Sequence, residues 1–301
     1  MTQASSFSLP APAKLNLFLH ITGQRDDGYH LLQTVFALLD HGDTLQFQPA
    51  DSLSLQVSGD APVGEDNLIL RAANALQRYS GCTLGAQLAL TKRLPQGGGV
   101  GGGSSDAAST LLGLNHLWQL NLSIDELADI GLSLGADIPV FVRGHNAWAE
   151  GVGDQLQPIN LPEELFLVIH PGISAPTAVI FQDPQLTRDT AKSRVAAFLG
   201  QGLKQDTGAS PSNDCDSFHN DCEATAKRHF PAIAEALNWL EERAGNARMT
   251  GTGACVFARI ADRQSGEDFL LQLPPHWTGF VASSVKLSPA HQALKALQSS
   301  T

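Results

Sequence analysis

Six glycines crowd into residues 97–103, inside the run Pro95, Gln96, Gly97, Gly98, Gly99, Val100, Gly101, Gly102, Gly103, Ser104, Ser105. Without side chains, the backbone N–H groups of such a turn can approach an anion closely. The turn runs straight into a helical pattern, whose N-terminus adds roughly half a positive charge. Ser104 and Ser105 supply hydroxyls for phosphate oxygens or for a metal ion. The segment therefore reads as a phosphate loop. A flexible linker or an RGG-like tail is the alternative. A linker has no reason to abut a capped helix, and neither arginine nor aromatic residues interleave these glycines. A Walker A loop would need a lysine after the glycines, and none follows. A dinucleotide fingerprint fits the glycines only formally, because the acidic residue expected about twenty positions on is missing.

Other residues could act beside such a loop. In residues 13–21, AKLNLFLHI, the alternation sets Leu15, Leu17, Leu19 and Ile21 on one face and Lys14, Asn16 and His20 on the other. Lys14 and Asn16 are thus neighbours, and by spacing alone Lys14 reads as a solvated surface lysine. Asp137 lies in a sharp connection between Gly135 and Pro139 and by itself reads as the cap of a short turn. Tyr29 and His30 follow the Asp27-Gly28 turn signal and read as aromatics at a hairpin edge. Cys215 and Cys222 flank His219, but the spacing matches no zinc motif and lacks a second ligand pair, so reduced thiols are expected.

Elements must hold these groups in place. Strands are expected at 44–50, 53–59, 86–95 and 165–172, and a helix over 66–80 with Gly81 just past its end. The helix after the glycine run takes Ser104 or Ser105 as N-cap, with Asp106 in its first turn. Ser123 and Glu126 make a capping-box pattern for the next helix, which Gly135 ends. Residues 183–220 read as a polar, mobile excursion around one helical piece. The helix over 231–244 is bracketed by Pro231 and Gly245, and strands at 248–260 and 278–287 close the chain. A boundary near residue 160 divides it into two domains, 1–160 and 161–301.

The whole chain has 301 residues, 43% hydrophobic and 16% charged, which suits a globular protein of two domains. Its net charge of −11 argues against broad binding to nucleic acid or to an anionic membrane. No apolar run approaches a membrane span, and the N-terminus carries no secretory pattern, so a cytoplasmic location is expected.

The glycine run resembles the ATP loop of the GHMP kinases, a superfamily of small-molecule kinases, although its glycines are more numerous and Asp106 precedes Ala107. Five further segments resemble one branch of that superfamily, the 4-diphosphocytidyl-2-C-methyl-D-erythritol kinases. They are PAKLNLFLHITGQRDDGYHLLQTVF at 12–36, LGADIPVFV at 134–142, PTAVIF at 176–181, NDCE at 220–223 and MTGTGACVF at 249–257. The resemblance implies a two-domain α/β (α+β) GHMP kinase fold, with an N-terminal domain like ribosomal protein S5 domain 2 and a ferredoxin-like C-terminal domain. It implies transfer of the ATP γ-phosphoryl group to the 2-hydroxyl of the cytidylyl-methylerythritol substrate, in the non-mevalonate isoprenoid pathway. Lys14 and Asp137 match the family's catalytic pair. Residues Pro95 to Ser105, with Asn67 and Lys92, match its ATP site. Asn16, Tyr29, His30 and Thr177 match its substrate site, the Tyr29–His30 pair toward cytosine; Asp221 is a weaker candidate. Gly251, Thr252 and Gly253 form a second tight turn near the site, with Thr252 where the family has serine. Mg²⁺ is expected to arrive with ATP, helped by Ser104 or Ser105, and its protein ligands stay open, as does the oligomeric state. The rival readings are a GHMP kinase for another small alcohol, a catalytically silent nucleotide sensor on the same fold, and a dinucleotide-dependent oxidoreductase.

Overall fold

The computed structural model describes residues 6–62, 64, 66–205 and 218–299. Cys215 lies outside them, as does the middle of the 183–220 excursion. β1 (Phe7–Gln24) and β2 (His30–Ala50) form a long antiparallel hairpin, paired from Phe7↔Phe47 to Gln24↔His30. β2 is long enough to serve two further neighbours: β4 (Gly85–Thr91) along its second half and β5 (Ala147–Glu150) near its middle. β3 (Leu53–Ser58) lies parallel to β4, joined to it through α1 (Leu68–Ser80), and β6 (Gln155–Pro158) edges β5.

Local signals account for most element ends. The Asn67 side chain accepts from Ile69 N to start α1, and Gly81 at φ 70° ends it. α3 (Ile124–Leu132) carries the full Ser123–Glu126 capping box. It stops at Ser133, two residues before Gly135. α4 (Ile138–Arg143) is a short helix started by Pro139 and ended by Gly144 at φ 74°. α2 (Gly102–Leu117) departs from expectation: its N-cap is Gly101, without a side-chain cap bond. Ser104 and Ser105 lie inside the helix and Asp106 in its second turn, because Gly101 at φ 75° turns the chain into the helix unaided.

A second sheet has the order β10-β7-β9-β8, all antiparallel. It comprises β7 (Leu165–His170), β8 (Arg248–Met249), β9 (Val256–Ile260) and β10 (Thr278–Ser283). Between β7 and β8 run α5 (Thr177–Gln182), α6 (Val195–Gln205), α7 (Asp221–His229) and α8 (Pro231–Ala244). A tight turn joins β8 to β9, and α9 (Arg263–Leu270) precedes β10. Strand, helix, strand, strand, helix, strand is the ferredoxin-like order, here with helices inserted before α8.

Two expectations need correction. The chain does not close on strands: α10 (Pro289–Ser299) follows β10 and returns to the first unit. Ala290 is buried there, with Ala293, Leu294 and Leu297 packed against the same core as Leu38 and Phe141. Nor is β1 a strand with one polar face, since residues 11–21 are buried on both sides. β1 lies between the two units, and bulges after Pro12, Asn16 and Ile21 break strict alternation. Leu15, Leu17 and Phe18 thereby pack with Phe166, Val168 and Phe257 of the second sheet, while Leu19 and Ile21 join the core beneath α8.

Candidate active site

The glycine loop lines a cavity of about 350 Å³ together with Asn67, Lys92, Asp106 and Asp137. Every loop residue from Pro95 to Ser104 faces it; Ser105 does not, its hydroxyl being buried without a partner. Gly97, Gly99 and Gly101 sit at φ 63°, 72° and 75°, a backbone region that favours glycine. Close neighbours demand glycine as well. A Cβ on Gly98 would lie 2.6 Å from Cys255 Sγ, and one on Gly101 would lie 2.8 Å from Phe141 Cζ. The loop is gripped from the second unit, because Ala254 N and Cys255 N donate to Gly97 O and Gly98 O, each at 3.0 Å. Burial raises the Cys255 thiol pKa, so a neutral thiol packs behind the loop. Beyond the loop, the amides of Gly102, Gly103 and Ser104 open α2 with no carbonyl one turn earlier in the helix to receive them. This rim can hold an oxyanion.

Behind the lining residues Gly99 and Asp137, Lys14 is 3% exposed and is no surface lysine. Its ammonium donates to Asn16 Oδ1 at 2.5 Å and to Gly99 O at 2.9 Å, and pairs with Asp137 Oδ2 at 3.3 Å. An ammonium has three donors, and two of them make hydrogen bonds here. Asp137 does occupy the N-cap position of α4, yet its side chain makes no capping bond. It turns to Lys14 and stays 36% exposed, open to the cavity. Asn16 is held in turn: its Nδ2 donates to Thr34 Oγ1 at 2.9 Å, and its N–H donates to Thr250 Oγ1 at 2.9 Å. A carboxylate with an open face, a fixed ammonium and an anion-binding rim can together deprotonate an alcohol and stabilise the oxygen left behind.

Lys92 borders the same cavity, but its ammonium is committed elsewhere. It pairs with Asp43 Oδ2 at 2.5 Å and with Asp106 Oδ2 at 2.8 Å. Asp43 is anchored by the amides of Arg93 and Leu94. Burial pushes the Asp106 carboxyl up to about 7, despite Lys92. For Lys92, burial acts downward, but Asp106 and Asp43 outweigh it and the pKa is raised. Asn67 reaches the cavity as the cap of α1, its side chain held by Ile69 N and Pro62 O.

The remaining candidates lie away from this cavity. Tyr29 is exposed at the tip of the β1–β2 hairpin, and His30 is buried beside it. His30 stacks on Phe181, with ring centroids 4.7 Å apart. Thr177 opens α5, and its Oγ1 lies 3.0 Å from Thr252 Oγ1, which links α5 to the second tight turn. Asp221 does not face the cavity: Ile21 N at 2.6 Å, Thr190 Oγ1 at 2.8 Å and His219 at 2.7 Å all bind it. Phe181, Thr250 and Asp43 escaped the sequence reading. Phe181 had a signal, standing four residues after Thr177 on one helix face. Thr250 stands within the MTGTGACVF segment, whereas Asp43 had none. Among the described residues, no group of three or more His, Cys, Asp or Glu is set to hold a metal ion.

Comparisons with known proteins identify the family. The model of the GHMP kinases N terminal domain matches residues 67–145, and that of the GHMP kinases C terminal domain matches residues 203–277. A 4-diphosphocytidyl-2-C-methyl-D-erythritol kinase of Alcanivorax borkumensis is 60% identical over 96% of this chain and 94% of its own. One of Shewanella piezotolerans is 50% identical over 96% of this chain and 97% of its own. The crystal structure of a 4-(cytidine 5'-diphospho)-2C-methyl-D-erythritol kinase superposes with a TM-score of 0.77 at 31% identity, over 92% of this chain and 98% of that one. Mevalonate kinase of Methanococcus jannaschii, at 14% identity and a TM-score of 0.67 over 94% of this chain and 99% of that one, shares the fold. With both domains matched in order and relatives alike over nearly their whole length, the chain belongs to the GHMP kinases, in the family of 4-diphosphocytidyl-2-C-methyl-D-erythritol kinases.

Proposed function

We propose that the protein transfers the γ-phosphoryl group of ATP to the 2-hydroxyl of 4-diphosphocytidyl-2-C-methyl-D-erythritol, a step of non-mevalonate isoprenoid synthesis. The observation that carries this reading is the Lys14 ammonium fixed between Asp137 and Gly99, both of which line the glycine-loop cavity. ATP lies with its phosphates against the loop and the open amides of α2, and its nucleoside end toward Asn67. The substrate hydroxyl approaches Asp137, which takes its proton while the oxygen bonds to the γ-phosphorus and the bond to ADP breaks. A positioned base of this kind contributes about 10²–10⁴-fold. Lys14 steadies the developing oxyanion, and Asn16 orients Lys14 and the substrate. Thr177, Tyr29 and His30 hold the rest of the substrate, with the hairpin pair at the cytosine.

Mg²⁺ is carried in by the nucleotide. Among the described residues no carboxylate cluster is set to hold it, so phosphate oxygens and water would be its main ligands, and Ser104 would offer a hydroxyl at the cavity. Lys92 supports the loop from behind through Asp43 and Asp106. We place the division between units near residue 160, with α10 added back to the first. No described helix is long and apolar enough to cross a membrane, and the proposed location is the cytoplasm.

The test is ADP release with ATP and Mg²⁺, comparing the cytidylyl substrate with mevalonate, homoserine and galactose. Selective turnover of the cytidylyl compound, lost in Asp137→Asn, is the expected result. Preference for another alcohol would overturn the substrate assignment. ATP binding with no turnover of any alcohol would mark a nucleotide sensor instead.

A further inference from the structure

Away from the glycine loop, the β1–β2 turn sets His30 against the segment that follows α5. Its ring stacks on Phe181 with 16° between planes, and its Nε2 lies 3.0 Å from Arg188 Nε. An arginine Nε–H can only donate, and the guanidinium keeps its protons at any ordinary pH. His30 Nε2 must therefore present its lone pair, which leaves a neutral ring with its single proton on Nδ1. Burial, and then the charge of Arg188, hold the His30 pKa below its ordinary value.

Arg188 is itself fixed. Nη1 donates to Leu186 O at 3.0 Å, and Nη2 donates to Phe181 O at 2.8 Å and to Asp183 O at 2.9 Å. It cannot turn from the ring without freeing those carbonyls. Phe181 from α5 and Gln24 across the hairpin also lie against His30. The contact that bears on the tautomer of His30 is thus the one from Arg188.

We propose that Arg188 is a positioning residue that locks His30 in the Nδ1–H tautomer, so that the ring acts only as a donor toward the pyrimidine and selects cytosine over uracil. This rests on the reading that His30 faces the base of the substrate. Cytosine offers a bare N3 that accepts from Nδ1–H. Uracil carries a hydrogen on N3, which sets donor against donor. A site built around one such bond rejects the analogue lacking it by as much as about 10⁴–10⁵-fold. The phosphoryl end of the site is indifferent to the base, so discrimination must arise here.

The experiment uses the full chain with labelled histidine nitrogens, together with turnover of the cytidylyl substrate and its uridylyl analogue. Wild-type His30 is expected to show a protonated Nδ1 and a bare Nε2 at neutral pH. It should favour the cytidylyl form by at least about 100-fold in kcat/KM. Arg188→Met should shift the proton toward Nε2 and cut that ratio about tenfold or more, with the KM for ATP unchanged. Arg188→Lys, which keeps a donor near Nε2, should restore most of the ratio. A wild-type His30 that is charged or protonated on Nε2 overturns the proposal, and that measurement needs no variant to fold. An unchanged ratio in Arg188→Met overturns it as well. His30→Ala separates the two layers of the argument. If it leaves the KM for the cytidylyl substrate unchanged, His30 does not face the base, and both this proposal and the reading beneath it fall. If it raises that KM while Arg188→Met leaves the ratio intact, only the assignment of Arg188 falls.

Discussion

Lys14 and Lys92 are buried lysines on two sides of one glycine loop, and the exposure of their partners sets them apart. The carboxylate paired with Lys14 is 36% exposed, whereas those paired with Lys92 are 0% and 5% exposed. Lys92 thus sits in a closed cluster in which one cation serves two carboxylates, an arrangement that ties β2, the end of β4 and α2 together. Lys14 sits in an open cluster whose carboxylate can still receive a proton from something entering the cavity. The lesson is that burial of a lysine does not distinguish a structural from a reactive role. The exposure of its partner does.

The largest effect should come from opening the contrast at Asp137. Asp137→Asn keeps the shape but not the base, and kcat should fall about 10²–10⁴-fold with ATP affinity nearly unchanged by calorimetry. Wild-type turnover in this variant would erase the distinction between the two clusters. Next, Lys92→Met leaves Asp43 and Asp106 buried without a counter-charge, and stability should drop by about 3–5 kcal/mol in urea unfolding. Lys14→Met should lose turnover but much less stability, since water already reaches Asp137; equal losses in the two variants would break the comparison.

Two alanine substitutions sharpen it further. Gly101→Ala forces a side chain into φ 75° and against Phe141 and Lys14 Cε, which should cost about 1–3 kcal/mol and lower activity. Gly102→Ala needs no unusual backbone and meets Lys92 Nζ at 2.9 Å, so it should cost less, about 1 kcal/mol. Thermal unfolding of the pair gives the order.

The last comparison concerns pH. Asp106 has a folded pKa raised from 3.8 to about 7, chiefly by burial. Its protonated form is therefore favoured by folding. The stability it contributes is complete below the unfolded value and is lost as pH rises through the folded one. Asp106→Asn lacks this dependence, so its stability relative to the parent should improve as pH climbs from about 4 to about 7. A difference that stays flat across that window would mean that Lys92 satisfies both carboxylates equally.

Much of this arrangement was legible in the sequence, and the rest was hidden for physical reasons. The glycine run, the capping box at Ser123 and the helix bracketed by Pro231 and Gly245 are local chemistry, so they could be read directly. Lys14 misled because strand alternation assumes a single buried face, and β1 is covered by both units. Asp137 was read correctly as to position, but whether a cap residue bonds its own helix depends on a lysine more than a hundred residues away. Arg188 and Asp43 act through contacts made across the chain, and nothing local marks them. The glycines were read as room for an anion. The structure adds that several are also required by Cys255, Phe141 and the second tight turn.

α10 carries a consequence for how the molecule is made. Its apolar face completes the core of the first unit, and Ser288 N donates to Gly144 O at 2.8 Å, beside the end of α4. That short helix begins at Asp137. On a ribosome, domains fold as units from the N-terminal end while the chain is made at about 5–20 residues per second. Here the unit that carries the glycine loop must wait for residues near 297 to emerge before its last apolar side chains are covered. A nascent chain halted before α10 would hold every residue of the cavity yet leave the support of α4 unfinished. The support of α4 thus waits on a helix that lies beyond the whole second unit in the chain.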